Sequence, residues 1–357
     1  MKQIMKLLII NPGSTSTKIG VFENETPIYE KTLRHSMEEL APFNQMADQY
    51  DFRMGIIVAA LEEAGISIAN LAAVVGRGGL VKPLAGGTYH VNEAMMHDLR
   101  IGLQGQHASN LGGLIAHAIG SKIGKPSFIV DPVVVDEFME ISRISGHPLL
   151  KRRSIFHALN QKAIARQYCK DVGKAYTDLN LVVVHLGGGI SVGIHAKGKV
   201  IDANNALDGD GPISPERSGS LPTGDFAALC FSGKHTLTEV RKMLAGQGGL
   251  VAYFGSNNLL ELEERAKTEP EVQTAIDAMC YQVAKEVAAV STAVNGQVDA
   301  ILLTGGIARS EYITSEIAKR VEFITKVHVY PGEDELAALT QGALRVLRGE
   351  EEAKEYV

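Results

Sequence analysis

The sequence predicts an α/β protein, and three observations carry that reading. Apolar runs of strand length alternate with longer helical stretches along the chain. Glycine clusters break several of those strands, as in "LAAVVGRGG", "HLGGGI" and "LLTGGIA". A pattern of strand, turn, strand, turn, strand at the N-terminus recurs about half a chain later.

Taken in order, "KLLIIN" and "KIGVFE" read as strands joined by a tight turn, with "ETPIYEKTL" as a third. Ser36 with Glu39 fits a helix capping box. "FRMGIIVAALEEAG" is helical and stops near Gly65. "LAAVVGRGG" is a buried strand running into glycines, "NEAMMHDLRIGL" and "HASNLGGLIAHAIGSKI" are helical, and "PSFIVDPV" is a short buried strand. "SIFHALNQKAIARQYCKDVG" is helical, with Ser154 as its expected cap.

The second half opens with "NLVVVHLGGGISVGIHAKGKVIDA", again three strands and two turns. Ile19-Gly20-Val21 matches Val192-Gly193-Ile194, and Ile28 matches Ile201, at one offset: 192 − 19 = 173 and 201 − 28 = 173. That points to a duplication. Helices follow at "TLTEVRKMLAG" and "PEVQTAIDAMCYQVAKEVAAVSTAV". "DAILLTGGIA" is a strand breaking into the helix "SEYITSEIAKRV", "KVHVYP" is a short strand, and "DELAALTQGALRVLRG" is the last helix. The expected division is residues 1–153 and 154–335, with the final helix, 336–357, packing back on the first domain.

The 357 residues are 45% hydrophobic, enough for two cores. A net charge of −6 with no basic block disfavours a nucleic-acid partner. The three cysteines are far apart in sequence and indicate neither a zinc knuckle nor a disulfide framework. The first apolar run ends at Asn11-Pro12, too short for a signal core or a membrane span, so a cytoplasmic setting without a membrane partner is expected. Glycine stands at 37 of 357, above the usual level of about 7%.

The turn in "IINPGSTSTKIGVFE" offers hydroxyls, backbone N–H groups and Lys18 in one bend, a setting that suits phosphate oxygens as well as an ordinary hairpin. The triple glycine at Gly187, Gly188 and Gly189 tips the balance, because it carries a folding-entropy cost that a plain hairpin does not need. "LLTGGIA" adds a bare strand end suited to a purine ring. No GxxxxGK[ST] loop and no strand-borne GxGxxG is present.

These three segments, Asn11 to Lys18, His185 to Gly189 and Thr304 to Ile307, resemble the two phosphate motifs and the adenosine motif of the acetate and sugar kinase, heat-shock ATPase and actin superfamily. More narrowly, the chain resembles the acetokinase family of short-chain carboxylate kinases over essentially its whole length. The resemblance implies two ribonuclease-H-like domains of the actin-like ATPase fold with a nucleotide cleft between them. It also implies ATP and Mg²⁺, and a homodimer or higher homo-oligomer.

Motif by motif, the resemblance assigns Asn11, Ser14, Ser16 and Lys18 to the phosphates. His185, Gly187, Gly188 and Gly189 would wrap the β- and γ-phosphates, and Gly305, Gly306 and Ile307 would floor the adenine pocket. Arg77 and Arg217 resemble the family's two arginines for the acyl carboxylate and moving phosphoryl group. Asp131 matches the active-site aspartate. Phe156 and His157 match a pair that packs on the acyl group and donates to the phosphoryl. Glu335 matches a magnesium-holding glutamate, with Asn11 and Asp131 beside it in the expected metal set. His107 and Gly79 are expected at the acyl pocket.

The residue types fit the chemistry. A short-chain acid is already ionised near neutrality, so the transfer needs charge control more than a base. Family members acting on acetate carry Arg-Val-Val-His-Gly-Gly where this chain has Arg77-Gly78-Gly79-Leu80. The glycines are expected to open room for extra methylenes, each worth about 0.8 kcal/mol, which favours butyrate or a branched relative. Two rivals stand beside this reading: a hydroxyl or sugar kinase with Asp131 as general base, and an ATP-driven actin-like switch protein.

Overall fold

In the computed structural model, which describes residues 4–207 and 209–357, the strands form two mixed sheets, one in each of two units. The first sheet contains β1 (Lys6–Pro12), β2 (Ser16–Glu23), β3 (Thr26–Arg34), β4 (Ala73–Arg77), β5 (Thr88–His90) and β6 (Ser127–Val130), in the order β3-β2-β1-β4-β6-β5. The second contains β7 (Asn180–Leu186), β8 (Ile190–Ala196), β9 (Lys199–Ala203), β10 (Ala300–Gly305) and β11 (Val327–Pro331), in the order β11-β10-β7-β8-β9. One unit runs to Val135 and resumes over Asp334–Val357; the other is Asp136–Glu333.

The two sheets share a plan. In each, the first three strands are an antiparallel meander, and two later strands add in parallel to the first. Each meander slips register in its second strand, between Val21 and Phe22 and between Ile194 and His195, again 194 − 21 = 173 residues apart. A bulge bends and twists its strand and interrupts the ladder. Its recurrence at the offset already seen in the sequence supports the duplication.

The strands read as unbroken apolar runs because both sheet faces are covered. In the second unit Val182, Val184 and Leu186 join residues of the helix Pro270–Ser291 in one core. Their alternates Leu181 and Val183 meet Ala165, Tyr168 and Cys169 of the helix Ala158–Asp171 in another. In the first unit the helices Asn110–Lys122 and Glu335–Leu347 both pack on β1, β4 and β6. A Cβ on Gly76 would stand 2.1 Å from the carbonyl oxygen of Gly112, so glycine lets the strand and helix backbones meet there.

The capping box of Ser36 and Glu39 forms as expected, on the short helix Met37–Leu40. The helix expected to start near Ser154 begins instead at Ala158, with His157 at the N-cap position. Its irregular lead-in follows a tertiary partner, the Ser191 hydroxyl, which accepts from the His157 backbone N–H at 3.4 Å. Sequence periodicity also missed β5 and the helices Thr223–Cys230, Leu250–Phe254 and Leu259–Ala266. The first of these helices buries no residue, and the other two are at most eight residues long and bury one each, too short for their apolar faces to stand out in sequence. The three cysteines are free. No described helix is long and apolar enough to cross a membrane.

Candidate active site

In the first unit β1 and β4 are parallel neighbours, with Ile10 beside Gly76, so their C-terminal ends deliver Asn11 and Arg77 to one edge. Glu335 arrives there in the first turn of its helix, whose start is capped by the Asp334 side chain. One Glu335 oxygen pairs with Arg77 Nη1, and the other accepts from Asn11 Nδ2 at 2.5 Å. A single carboxylate therefore aims both an amide and a guanidinium that remain about one-third exposed or are half-buried. His107 lies within reach of the Arg77 charge. Burial of the His107 ring, and then that charge, hold its pKa below the ordinary histidine value. His107 Nδ1 meets Ser109 Oγ at 2.7 Å.

Asp131 stands just beyond β6 and is buried. It takes a positive φ of 38°, uncommon outside glycine though aspartate tolerates it better than most residues. Its Oδ1 accepts from the Gly87 N–H at 2.7 Å while its own N–H donates to the Gly87 carbonyl at 3.0 Å. The reciprocal pair fixes the residue in that conformation.

The space expected at Gly78 and Gly79 is not there. A Cβ at Gly78 would lie 2.5 Å from Pro132 Cβ, and one at Gly79 would meet Asn110 Oδ1 at 2.5 Å and Leu99 Cδ2 at 2.7 Å. Asn110 fills the volume because its amide ties two loops, accepting from Leu80 N–H and donating to the Gly105 carbonyl. The glycines permit close packing rather than a wider pocket.

In the hairpin between β1 and β2, Ser14 is exposed, Ser16 half-buried, and Lys18 rests 3.6 Å from Glu30. The residue that organises this bend was missed from sequence. Arg53 is 0% exposed, and its guanidinium donates to the carbonyls of Gly13, Ser14 and Ser16, to Thr17 Oγ1 and to Gln49 Oε1. Among the described residues no carboxylate pairs with it, so a full positive charge sits behind the loop and favours an anion in front of it. A signal existed: Arg53 lies with Ile57, Ala60 and Leu61 on the buried stripe of its helix, where a charge is out of place.

In the second unit the turn Gly187–Gly189 links β7 to β8. The Gly188 carbonyl is held by the Ser214 hydroxyl at 2.7 Å and the Glu216 N–H at 3.0 Å. The His185 ring stacks on His157 with centroids 3.8 Å apart. Its Nδ1 meets Asn160 Oδ1 at 2.8 Å, and its Nε2 faces the Glu333 carboxylate at 3.5 Å. The Gly189 Cβ position lies 3.7 Å from Arg217 Cγ and 3.8 Å from His157 Cε1, so these three expected residues converge. Among the described residues the Arg217 guanidinium meets its neighbour Glu216, at 3.2 Å to the carbonyl and 3.4 Å to the carboxylate, and its Nε is buried without an acceptor. A buried unpaired donor is costly unless a ligand completes it. Phe156 is buried just ahead of His157.

Gly305 has φ 93°, and a Cβ there would stand 2.3 Å from the Leu186 carbonyl oxygen, so this strand end admits glycine alone. Beyond it Gly306 faces open space. Gly187, Gly188, Gly306 and Ile307 all line one cavity of about 910 Å³. Asn257, Lys267 and Tyr312 join them, the first two from the segment around a helix that the sequence reading missed. The volume suits a nucleotide-sized ligand.

Among the described residues no group of three or more His, Cys, Asp and Glu side chains gathers as a metal cage. At the start of the hairpin between β1 and β2 the Glu335 carboxylate lies beside the Asn11 amide, oxygen donors of the kind that hold Mg²⁺ jointly with substrate phosphates.

The sequence model of the Acetokinase family matches residues 140–331. Over 352 residues the chain is 57% identical to butyrate kinase 1 of Clostridium acetobutylicum, covering 98% of this chain and 99% of that one. It is 54% identical, with the same coverage, to a probable butyrate kinase of Clostridium botulinum. Among solved structures it is similar to the acetate kinase of Porphyromonas gingivalis, with a TM-score of 0.77 and 18% identity over 96% of this chain and 100% of that one. A propionate kinase from Francisella tularensis gives 0.75 and 18% over 95% and 99%. At such identities the structural likeness speaks for the fold.

Proposed function

This chain belongs to the acetokinase family, and from that premise we propose that it is an ATP-dependent carboxylate kinase. It moves the γ-phosphoryl group of ATP reversibly to the carboxylate of butyrate or a related short or branched acid, giving ADP and an acyl phosphate. The observation that carries the reading is the shared cavity: Gly187-Gly188 and Gly306-Ile307, more than a hundred residues apart, line one volume of nucleotide size. We read the two units as the two ribonuclease-H-like domains.

The nucleotide base rests on Gly305, Gly306 and Ile307, and the phosphates run toward His185 and the glycine turn. Asn11, Ser14, Ser16 and Lys18 supply further donors, backed by the Arg53 charge. The acid needs no base because it arrives ionised; what opposes the reaction is repulsion between two anions. Arg77, aimed by Glu335, and Arg217, with its open Nε, neutralise the acyl carboxylate and the charge that builds on the transferring group. His157 donates to the same oxygens, while Phe156, His107 and Gly79 border the acyl group. Mg²⁺, when bound, screens the phosphate charges; Glu335 and Asn11, with Asp131 nearby in the family pattern, are the residues to hold it.

Support for butyrate over acetate comes from the 57% likeness to a butyrate kinase, not from room at Gly79. Exposed Ile141, Ile144, Leu149 and Leu150, between 68% and 84% accessible, favour a homodimer or higher assembly, and a cytoplasmic setting fits the substrates. The test traps acyl phosphate with hydroxylamine over acetate, propionate, butyrate and isobutyrate with Mg-ATP. Highest kcat/KM on the four-carbon acids is expected. A peak at acetate would overturn the preference, and no acyl phosphate from any acid would overturn the enzyme reading.

A further inference from the structure

Behind His157 runs a line of buried polar side chains whose hydrogen bonds all point the same way. Ser191, Gln161 and His195 are each 0% exposed. Tyr176 Oη lies 2.7 Å from His195 Nδ1, and His195 Nε2 lies 3.0 Å from Gln161 Oε1. Gln161 Nε2 donates to the Ser191 carbonyl at 3.1 Å and to its hydroxyl at 2.8 Å. Ser191 Oγ lies 2.9 Å from His157 Nδ1.

The direction follows from the donor inventory. The Gln161 amide nitrogen can only donate, and both its hydrogens are used on Ser191. Gln161 Oε1 is therefore an acceptor, and His195 Nε2 must carry the proton that reaches it. Burial, together with the charges of Lys162 and Arg166, holds the His195 pKa well below the ordinary histidine value, so its ring is neutral with one N–H. Its Nδ1 is then the acceptor of the Tyr176 O–H. At the far end the Ser191 oxygen already receives Gln161 and, at 3.4 Å, the His157 backbone N–H. Its own hydrogen goes to His157 Nδ1. A proton on that nitrogen would set two donors face to face and leave a buried hydroxyl without an acceptor.

The fold does not require these polar groups. In the first sheet the residue at the matching bulge position, 195 − 173 = 22, is Phe22, and the position matching Ser191 is Lys18. Gly193 makes room for the line, since a Cβ there would stand 2.5 Å from Gln161 Oε1, whereas its counterpart Gly20 faces Phe22 and Leu336. At the bulge a buried phenylalanine serves one half of the duplication, so the buried histidine of the other answers to something besides packing.

We propose that the chain Tyr176 to His195 to Gln161 to Ser191 fixes His157 as the Nε2–H tautomer, keeping a donor on the nitrogen turned away from Ser191 and making Ser191, Gln161 and His195 positioning residues for phosphoryl transfer. This rests on the reading above that His157 donates to the moving group.

Two-bond ¹⁵N–¹H correlation of the full chain labelled in histidine, with the His157 signals assigned by loss in His157→Gln, tests it directly. The wild type is expected to show His157 protonated on Nε2 alone. In Ser191→Ala a mixture of tautomers is expected, with kcat lower by about tenfold, KM for ATP and acid little changed, and recovery in Ser191→Thr. Tyr176→Phe, at the half-buried end, should show a smaller shift of the same kind. A wild-type spectrum with His157 protonated on Nδ1 overturns the proposal whatever the variants do. Full turnover in Ser191→Ala beside a dead His157→Gln overturns the positioning role alone, while full turnover in His157→Gln removes His157 from the reaction as well.

Discussion

Arg217 and Arg77 carry the same charge in different settings. Arg77 is aimed by Glu335, while Arg217 leans weakly on Glu216 and keeps a buried Nε that has no acceptor among the described residues. Both Arg77→Ala and Arg217→Ala should fold and lose about 10²–10³ in kcat in the hydroxamate assay. Arg77→Ala also loses an ion pair that is partly solvated, worth at most about 1 kcal/mol of stability. A full rate in either variant would take that arginine out of the reaction. Glu286 gives a prediction of another kind. Burial first, then Asp210 and Asp202, opposed by Arg152 and Lys285, pushes its carboxyl up to about 7. Between its ordinary value of 4.5 and about 7 the folded chain holds a proton that the unfolded chain has released, so stability falls as pH rises through that window. Glu286→Gln should raise stability at pH 8 by no more than about 3 kcal/mol, read as a higher thermal midpoint, and leave the midpoint unchanged near pH 4. An equal effect at both pH values would contradict the assignment.

Hairpins and strand ends set the second scale. The bend between β1 and β2 is shaped less by its own residues than by Arg53, which gathers three of its carbonyls from behind. Arg53→Met keeps length and apolar bulk but leaves those carbonyls unpaired. It should cost about 2–4 kcal/mol by denaturant unfolding. It should also raise KM for ATP more than KM for the acid, because the phosphates lose both loop shape and the charge behind it. Equal changes in the two constants would mean that the loop serves the fold and not the nucleotide. At Gly305 the positive φ alone calls for the glycine that the local sequence shows, and the Leu186 carbonyl of the neighbouring strand closes the space for any side chain.

For the whole molecule, the first unit is assembled from both ends of the chain. The helix Glu335–Leu347 packs on β1, β4 and β6, and beyond it Lys354 bonds to Thr88 and His90. Tyr356 is buried, donating its hydroxyl to Asp98 at 2.7 Å and accepting the Lys82 N–H at 2.9 Å. Tyr356→Phe strands both partners and should destabilise the fold by about 1–3 kcal/mol in thermal or denaturant melts, with kcat unchanged at temperatures where the chain stays folded. Unchanged stability would mean that water replaces the hydroxyl without loss. By itself the sequence determined the order of strands and most helices, the repeat at one offset, and the glycine turns that line the cavity. Each of these depends on backbone sterics or on an apolar period within a few residues, which a linear reading can follow. Only the tertiary structure decided that Gly78 and Gly79 are packed shut, that Arg53 supports the hairpin between β1 and β2, and that Ser191, Gln161 and His195 stand behind His157. A buried polar side chain looks like a surface one in sequence; what separates them is a partner tens of residues away, reached only when the sheets and helices close around it.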